Sequence, residues 1–182
     1  MNTKISTLLL KNKNWASEKV SKDSSYFTKL LQQRKPSVFW IGCCDARVIP
    51  SEIISSSLSD IFMHTNIANQ VNSNDTNLIA ALTFAVNTLK VEHIVVCGHT
   101  DCRGVQAAMD NNSCEVLKDW LRPLQNLYKK NNSLDTTAFS ELNIKNQVKK
   151  VQQHTLLQNH KNPPQVHGWI FQIETGTIKA LC

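Results

Sequence analysis

The chain has no long apolar segment. None of the uncharged stretches in its 182 residues approaches the roughly 20 residues that a membrane-spanning helix needs. The apolar run at 8–10 lies between polar residues, and it lacks the hydrophobic core and cleavage site of a secretory signal. We therefore expect no membrane partner and a cytoplasmic location.

The chain also has no concentrated basic patch, although it is basic overall. Lysine and arginine number 20 against 14 acidic residues, which gives a net charge of +6. These residues are spread along the chain, without the arginine-rich block or interleaved aromatics typical of nucleic-acid binding. We expect no nucleic-acid partner, and we assign the charge to solubility and a general attraction of small anions.

A regular cysteine framework is missing as well. In a chain of this length with no secretion signal, scattered cysteines are better interpreted as free thiols or metal ligands than as disulfides. The six cysteines are Cys43, Cys44, Cys97, Cys102, Cys114 and Cys182.

Internal repeats, linkers and low-complexity segments are absent too, so we predict a single domain over residues 1–182. Apolar residues at helical spacing predict a helical arm over residues 1–35, ended by Pro36. Residues 36–182 are predicted to form an α/β core.

Short apolar runs rich in branched and aromatic residues mark the strands of this core. Such runs predict strands buried on both faces, and they lie at 37–43, 60–68 and 93–98. Asp75 is expected to cap a helix between the second and third runs. This alternation predicts an α/β fold with a mostly parallel central sheet flanked by helices. Later apolar periodicity predicts further helices and a last strand or hairpin, at 117–127, 140–160 and 166–181.

Thiol, imidazole, carboxylate and guanidinium groups follow two of the predicted strands. Cys43, Asp45 and Arg47 follow the first run, and His99 and Cys102 follow the run at 93–98. Ligands collect at the carboxyl ends of strands in open parallel sheets. Because zinc prefers thiolate sulfur and imidazole nitrogen, we predict a Zn(II) site held by Cys43, His99 and Cys102. Its fourth position is open or taken by Asp45.

The spacing of Asp45 and Arg47 has two interpretations. A guanidinium can hold a carboxylate bidentately, which would leave the fourth position free for water. Zinc lowers the pKa of a bound water to about 7 and makes a hydroxide nucleophile at neutral pH. The alternative interpretation is an ordinary ion pair at the end of a strand.

Two motifs carry a resemblance to a known family. They are Cys-x-Asp-x-Arg at 43–47 and Gly-His-x-x-Cys at 98–102, and further similar segments lie at 39–43, 64–69, 91–94 and 166–169. Together they resemble the β-class carbonic anhydrases, and most of all the bacterial branch of that family.

The resemblance implies a zinc lyase that reversibly hydrates carbon dioxide to bicarbonate and a proton through a zinc-bound hydroxide. It implies that Cys43, His99 and Cys102 are the zinc ligands, with Asp45 and Arg47 as the catalytic pair. It assigns the metal to the first of the two adjacent cysteines. It also implies a homodimer or tetramer.

One departure from the family leaves alternatives open. Arg103 follows Cys102 where the family has glycine. If the backbone there had a positive φ, arginine would cost about 1 kcal/mol or more; with a negative φ, a cation would lie near the metal. One alternative function is therefore a zinc-binding but catalytically weak or silent homologue with a structural or regulatory role. Another is hydrolysis of a related small molecule such as carbonyl sulfide, which needs the same hydroxide.

Overall fold

A computed structural model describes residues 4–32, 35–111 and 114–182. The chain divides into two compact units, 1–34 and 35–182. The prediction that they belong to one domain stays a prediction.

The N-terminal unit is helical, as predicted. It contains α1 (Ile5–Lys22) and α2 (Tyr26–Gln32). The rings of Trp15 and Phe27 meet edge to face with centroids 5.7 Å apart, so an aromatic contact joins the two helices.

The second unit is built on a five-stranded sheet. Its strands are β1 (Val38–Cys43), β2 (Ile61–Asn66), β3 (His93–His99), β4 (Gln165–Gln172) and β5 (Thr177–Ala180). The strand order is β2-β1-β3-β4-β5, in which every neighbouring pair is parallel except β4 and β5. The predicted, mostly parallel sheet is confirmed, and the predicted final hairpin is the antiparallel pair β4–β5.

Helices flank this sheet, as predicted. They are α3 (Pro50–Ile53), α4 (Thr76–Thr83), α5 (Arg103–Asp110), α6 (Glu115–Lys129), α7 (Thr136–Gln152) and α8 (Thr155–Gln158), with a π-helical segment, Phe84–Leu89, directly after α4. The Asp75 carboxylate accepts hydrogen bonds from the first turn of α4, which confirms the predicted cap. Among the helices that the structure describes, none is long and apolar enough to cross a membrane.

The prediction of one continuous helix over 140–160 is wrong for the last third of that range. The helix ends at Gln152, and α8 begins after His154. His154 has an extended backbone, and its Nδ1 accepts a hydrogen bond from the Leu156 amide. A side chain that caps a new helix competes with continuation of the old one, and apolar periodicity carries no sign of this.

The two central strands are buried on both faces, which produces two apolar layers. Alternate side chains of β1 and β3 point to opposite faces. One layer contains Phe39, Ile41, Ile94 and Val96, and the other contains Trp40, Val95, Cys97 and Phe171. Each large side chain buried in this way contributes about 1.5–3 kcal/mol. These packed layers therefore hold the carboxyl ends of β1 and β3 in fixed positions.

A histidine pair joins β3 to β4. His93 Nδ1 lies 3.2 Å from His167 Nε2, and both side chains are partly buried. Desolvation, with a smaller contribution from the neighbouring His93, lowers the pKa of His167.

The stability of the protein should fall in mild acid through His167. Because the pKa of His167 is lower in the folded than in the unfolded state, the unfolded state binds a proton more readily as the pH drops below about 6.5. The free energy of unfolding should decrease over this range and level off below the folded-state pKa. Urea unfolding between about pH 5 and 7.5 should show a shallower slope for His167→Gln than for the wild type. His160→Gln, which removes a histidine outside the pair, is the matched control. Parallel profiles for His167→Gln and wild type would contradict this assignment.

Candidate metal centre

Three predicted ligands meet at the carboxyl ends of β1 and β3. Cys43 is the last residue of β1, His99 is the last residue of β3, and Cys102 is the N-cap of α5. Their ligand atoms all lie within 4.8 Å of one another, and the two sulfurs are 3.9 Å apart. All three side chains are buried, with exposures of 6%, 0% and 2%. The structure thus forms a compact, buried cluster of two thiols and one imidazole.

The His99 ring is oriented for metal binding. Its Nδ1 lies 2.8 Å from the Thr100 carbonyl oxygen, which can only accept a hydrogen bond. Nδ1 is therefore the donor, and in the neutral ring Nε2 carries the free lone pair. That Nε2 is buried and has no hydrogen-bond partner among the described residues. A buried nitrogen lone pair beside two thiols is suited to a metal ion.

Deprotonation is favoured at Cys43 and opposed at Cys102. A hydrogen bond from Cys102 lowers the pKa of Cys43, although burial opposes the shift. The same contact, together with burial, raises the pKa of Cys102. A divalent cation would remove this opposition, because it binds both thiolates directly. Two sulfurs and one nitrogen also match the donor set of a zinc site that keeps one open position.

Arg47 holds Asp45 next to this cluster. Nε of Arg47 donates to Asp45 Oδ1 at 2.9 Å, and Nη2 donates to Oδ2 at 2.8 Å. These hydrogen bonds hold the pKa of Asp45 well below its usual range. Asp45 Oδ2 lies 3.8 Å from His99 Nε2. The bidentate pair predicted from the spacing therefore exists, and it lies beside the three clustered side chains.

Asp101 is a member of this group that the sequence did not indicate. Arg47 Nη1 donates to Asp101 Oδ2 at 2.8 Å, and Nη2 donates to the Asp101 carbonyl oxygen at 3.1 Å. The only available signal was its position between His99 and Cys102 in the chain, which by itself does not connect it to Arg47.

A buried polar network supports the turn after β2, on the other side of Cys43. Ala68 has a left-handed backbone, with φ of 61°, which costs an alanine about 1 kcal/mol or more. Its carbonyl accepts hydrogen bonds from Gln70 Nε2 at 2.7 Å and Asn143 Nδ2 at 3.1 Å. Gln147 donates in turn to Asn143 Oδ1 at 2.8 Å. The Ala68 amide contributes to the low pKa of Cys43, so this network holds a backbone donor beside the sulfur. No sequence pattern indicates that Gln70, Asn143 and Gln147 belong to this network.

The backbone at Arg103 is not strained. Arg103 is the first residue of α5 and is not among the described residues with a positive φ, so the positive-φ alternative is wrong. The close approach occurs at Gly104, where an added Cβ would lie 2.7 Å from Ile67 Cγ2 and 3.1 Å from Ala68 Cβ. The glycine that this packing needs is therefore present.

A cavity of about 240 Å³ opens onto the cluster. Its lining comprises Cys43, Cys44, Asp45, Ile67, Arg103, Gly104, Ala107 and Leu117. Arg103 is exposed, and its guanidinium has no hydrogen-bond or ion-pair partner in the described part of the chain. A free cation thus lies at the edge of an otherwise largely apolar cavity.

The other cysteines lie outside the cluster. Cys44 is exposed in the cavity wall, where partial desolvation and the neighbouring Cys43 raise its pKa. Cys97 is buried inside β3, where burial raises its pKa to about 12. All six cysteines fall within the described residues and are free thiols, as predicted.

Comparisons with known proteins identify the family of the chain. The carbonic anhydrase family profile matches residues 38–178. The carbonic anhydrase of Emericella nidulans is 35% identical over 182 aligned residues, which cover 93% of this chain and 80% of that protein. The chain belongs to the carbonic anhydrase family, and its fold places it in the β class.

Solved structures show the same architecture. The crystal structure of the β-carbonic anhydrase CafA of Aspergillus fumigatus has a TM-score of 0.91 and 34% identity, covering 98% of this chain and 91% of that one. A tetrameric β-carbonic anhydrase of Sordaria macrospora has a TM-score of 0.91 and 32% identity, covering 96% and 95%. These relatives are fungal, so the expected bacterial branch is not confirmed.

Replacement of single cysteines should identify the metal-binding thiol. Cys43→Ser should lower zinc affinity by more than about 100-fold, beyond the loss usual for changes outside the ligands, because it removes one of three clustered donors. Cys44→Ser is the matched control and should keep zinc, since Cys44 lies outside the cluster. Zinc content is measured after dialysis against a weak chelator, with circular dichroism to monitor folding. Retention in Cys43→Ser together with loss in Cys44→Ser would contradict the assignment.

Proposed function

We propose that this protein catalyses the reversible hydration of carbon dioxide to bicarbonate and a proton. The observation that carries the proposal is the buried Cys43, His99 and Cys102 cluster, with the carboxylate of Asp45 held 3.8 Å from His99 Nε2. Relatives named carbonic anhydrase and a solved β-carbonic anhydrase with a TM-score of 0.91 support it.

Cys43, His99 and Cys102 would hold Zn(II), and Asp45 is a conditional fourth ligand. When bound, zinc lowers the pKa of a ligated water to about 7 and so supplies a nucleophile at neutral pH. The ring of His99 is held in the required tautomer by the Thr100 carbonyl. The hydrogen bond from Cys102, which lowers the pKa of Cys43, favours the thiolate form of Cys43.

Asp45 would orient the attacking water. Because its pKa is held low by Arg47, Asp45 is ionised at neutral pH and can only accept hydrogen bonds. An acceptor next to His99 would accept a hydrogen bond from the water and direct a lone pair of the water toward the substrate. Arg47 would hold the carboxylate at this place and restrain it from becoming a ligand.

The cavity suits a small apolar substrate. Ile67, Ala107 and Leu117 form part of its wall, and such a wall accommodates carbon dioxide without unpaired polar groups. Arg103 lies at the same cavity, where a cation would attract the anionic product.

A second candidate function is a zinc-binding homologue with little or no activity, in a structural or regulatory role. The observation in its favour is the unpaired cation of Arg103 in the cavity wall, because a long side chain there could hinder access of substrate.

We also propose that the protein is a homodimer or tetramer and acts in the cytoplasm. The tetrameric β-carbonic anhydrases of Sordaria macrospora support an oligomer. The six free thiols support a reducing compartment.

The test of function combines two measurements on one purified sample. Protein with about one zinc per chain should hydrate carbon dioxide in stopped-flow assays far faster than buffer alone, and removal of zinc should abolish the excess rate. Full zinc occupancy without such a rate would support the silent homologue. In that case, activity in Arg103→Gly would identify the side chain responsible.

The carboxylate of Asp45 should matter for turnover but not for metal retention. Asp45→Asn should keep zinc and lower kcat by about 100-fold, the low end for loss of an oriented hydrogen-bonding group in a catalytic site, because the amide is a weaker acceptor and can donate. Asp119→Asn, which alters a carboxylate exposed on α6, is the matched control. Unchanged kcat in Asp45→Asn would exclude the proposed role.

A further inference from the structure

The guanidinium of Arg47 is held along two edges by two different segments. One edge, Nε and Nη2, binds both carboxylate oxygens of Asp45. The other edge, Nη1 and Nη2, binds the carboxylate and the carbonyl oxygen of Asp101, at 2.8 and 3.1 Å. Asp45 lies in the loop after β1, whereas Asp101 lies 54 positions further from Arg47 along the chain, in the turn before α5.

Asp101 lies in the segment that joins two of the three clustered side chains. It lies between His99, which ends β3, and Cys102, which caps α5. Its two contacts with Arg47 therefore connect the Asp45 loop to the segment that carries two of the three clustered side chains.

Orientation, rather than stability, is the main effect expected of these contacts. The side chains of Arg47 and Asp101 are 41% and 69% exposed, and exposed ion pairs add little to stability. Without the Asp101 carboxylate, however, the second edge of Arg47 would keep only the carbonyl contact at 3.1 Å, so that Arg47 and Asp45 could rotate together more freely. A guanidinium held along both edges is restricted to one plane.

We propose that Asp101 is a positioning residue. It fixes Arg47, so that Arg47 keeps Asp45 beside the three clustered side chains. The inference rests on the proposed function, since it explains why Asp45 stays in the position that this function requires. When the Asp101 carboxylate is removed, Arg47 holds Asp45 less firmly, and Asp45 enters the fourth position as a ligand more often.

The backbone of Asp101 determines which variants test this. Its φ is 52°, a left-handed conformation that asparagine and glycine adopt readily and alanine does not. Asp101→Gly removes the carboxylate without strain and keeps the carbonyl contact. Asp101→Asn keeps one acceptor oxygen for Arg47 Nη1 but removes the charge. Glu141→Gln, which breaks the ion pair with Lys179, is the control for loss of a surface carboxylate.

The experiment measures three properties of each variant. They are kcat and KM for carbon dioxide hydration, zinc content with urea stability, and the visible spectrum of the cobalt-substituted protein, which changes when a carboxylate enters the coordination shell. For Asp101→Gly we expect kcat to fall about 10-fold, the low end for groups that orient a metal site, with KM, zinc content and stability unchanged. The cobalt spectrum should shift, and Asp101→Asn should lie between Asp101→Gly and wild type.

Two results would overturn the proposal. One is a kcat and a cobalt spectrum in Asp101→Gly equal to those of Glu141→Gln. The other is loss of zinc or of folding in both Asp101 variants, which would assign Asp101 a structural role instead. If the zinc-loaded wild type is inactive, the proposed function fails, but the cobalt spectra still test this inference. A shifted spectrum in Asp101→Gly would support the positioning role, and an unchanged spectrum would overturn it.

Discussion

The parallel pairing of β1 with β3 is the constraint on which the site depends. Gly42 pairs with Cys97, so Cys43 and His99 reach the same edge of the sheet. A slip of one residue would turn every side chain of a strand to the opposite face, and Trp40 would then exchange layers with Phe39 and Ile41. Because both faces of both strands are buried, packing of the apolar layers also determines the distance between the thiol and the imidazole.

Around this edge, each polar group of the site is oriented by a neighbour. The Thr100 carbonyl sets the tautomer of His99, and the turn at Ala68 places an amide beside Cys43. Arg47 orients Asp45 and is itself held by Asp101. The site is therefore preorganised: the directions of its donors and acceptors are set by backbone and neighbouring side chains, which reduces the rearrangement needed when a metal and substrate bind.

Arg103 affects the cavity through its side chain and not through its backbone. The concern that arginine replaces glycine at a strained backbone position does not apply, since Arg103 starts a regular helix. Gly104 makes the close approach to Ile67 and Ala68, and Asp101 has the left-handed backbone. What remains is the charge and bulk of the Arg103 side chain at the cavity, which bear on access and anion attraction rather than on folding.

Sequence patterns were enough to predict the strands, the helical arm, the cap at Asp75 and the identity of the three clustered side chains. Apolar periodicity is local, which explains the first three. The clustered side chains were predicted from sulfur and nitrogen ligands at two strand ends, together with a family resemblance that assigned the metal to the first of the two adjacent cysteines. Three features were visible only in the folded chain: Asp101 binds Arg47, Asn143 supports Ala68, and a helix stops before His154. The first two join residues 54 and 75 positions apart, whose distances depend on strand register and helix packing. The third depends on competition between a side-chain cap and the helix backbone, which residue type alone does not predict.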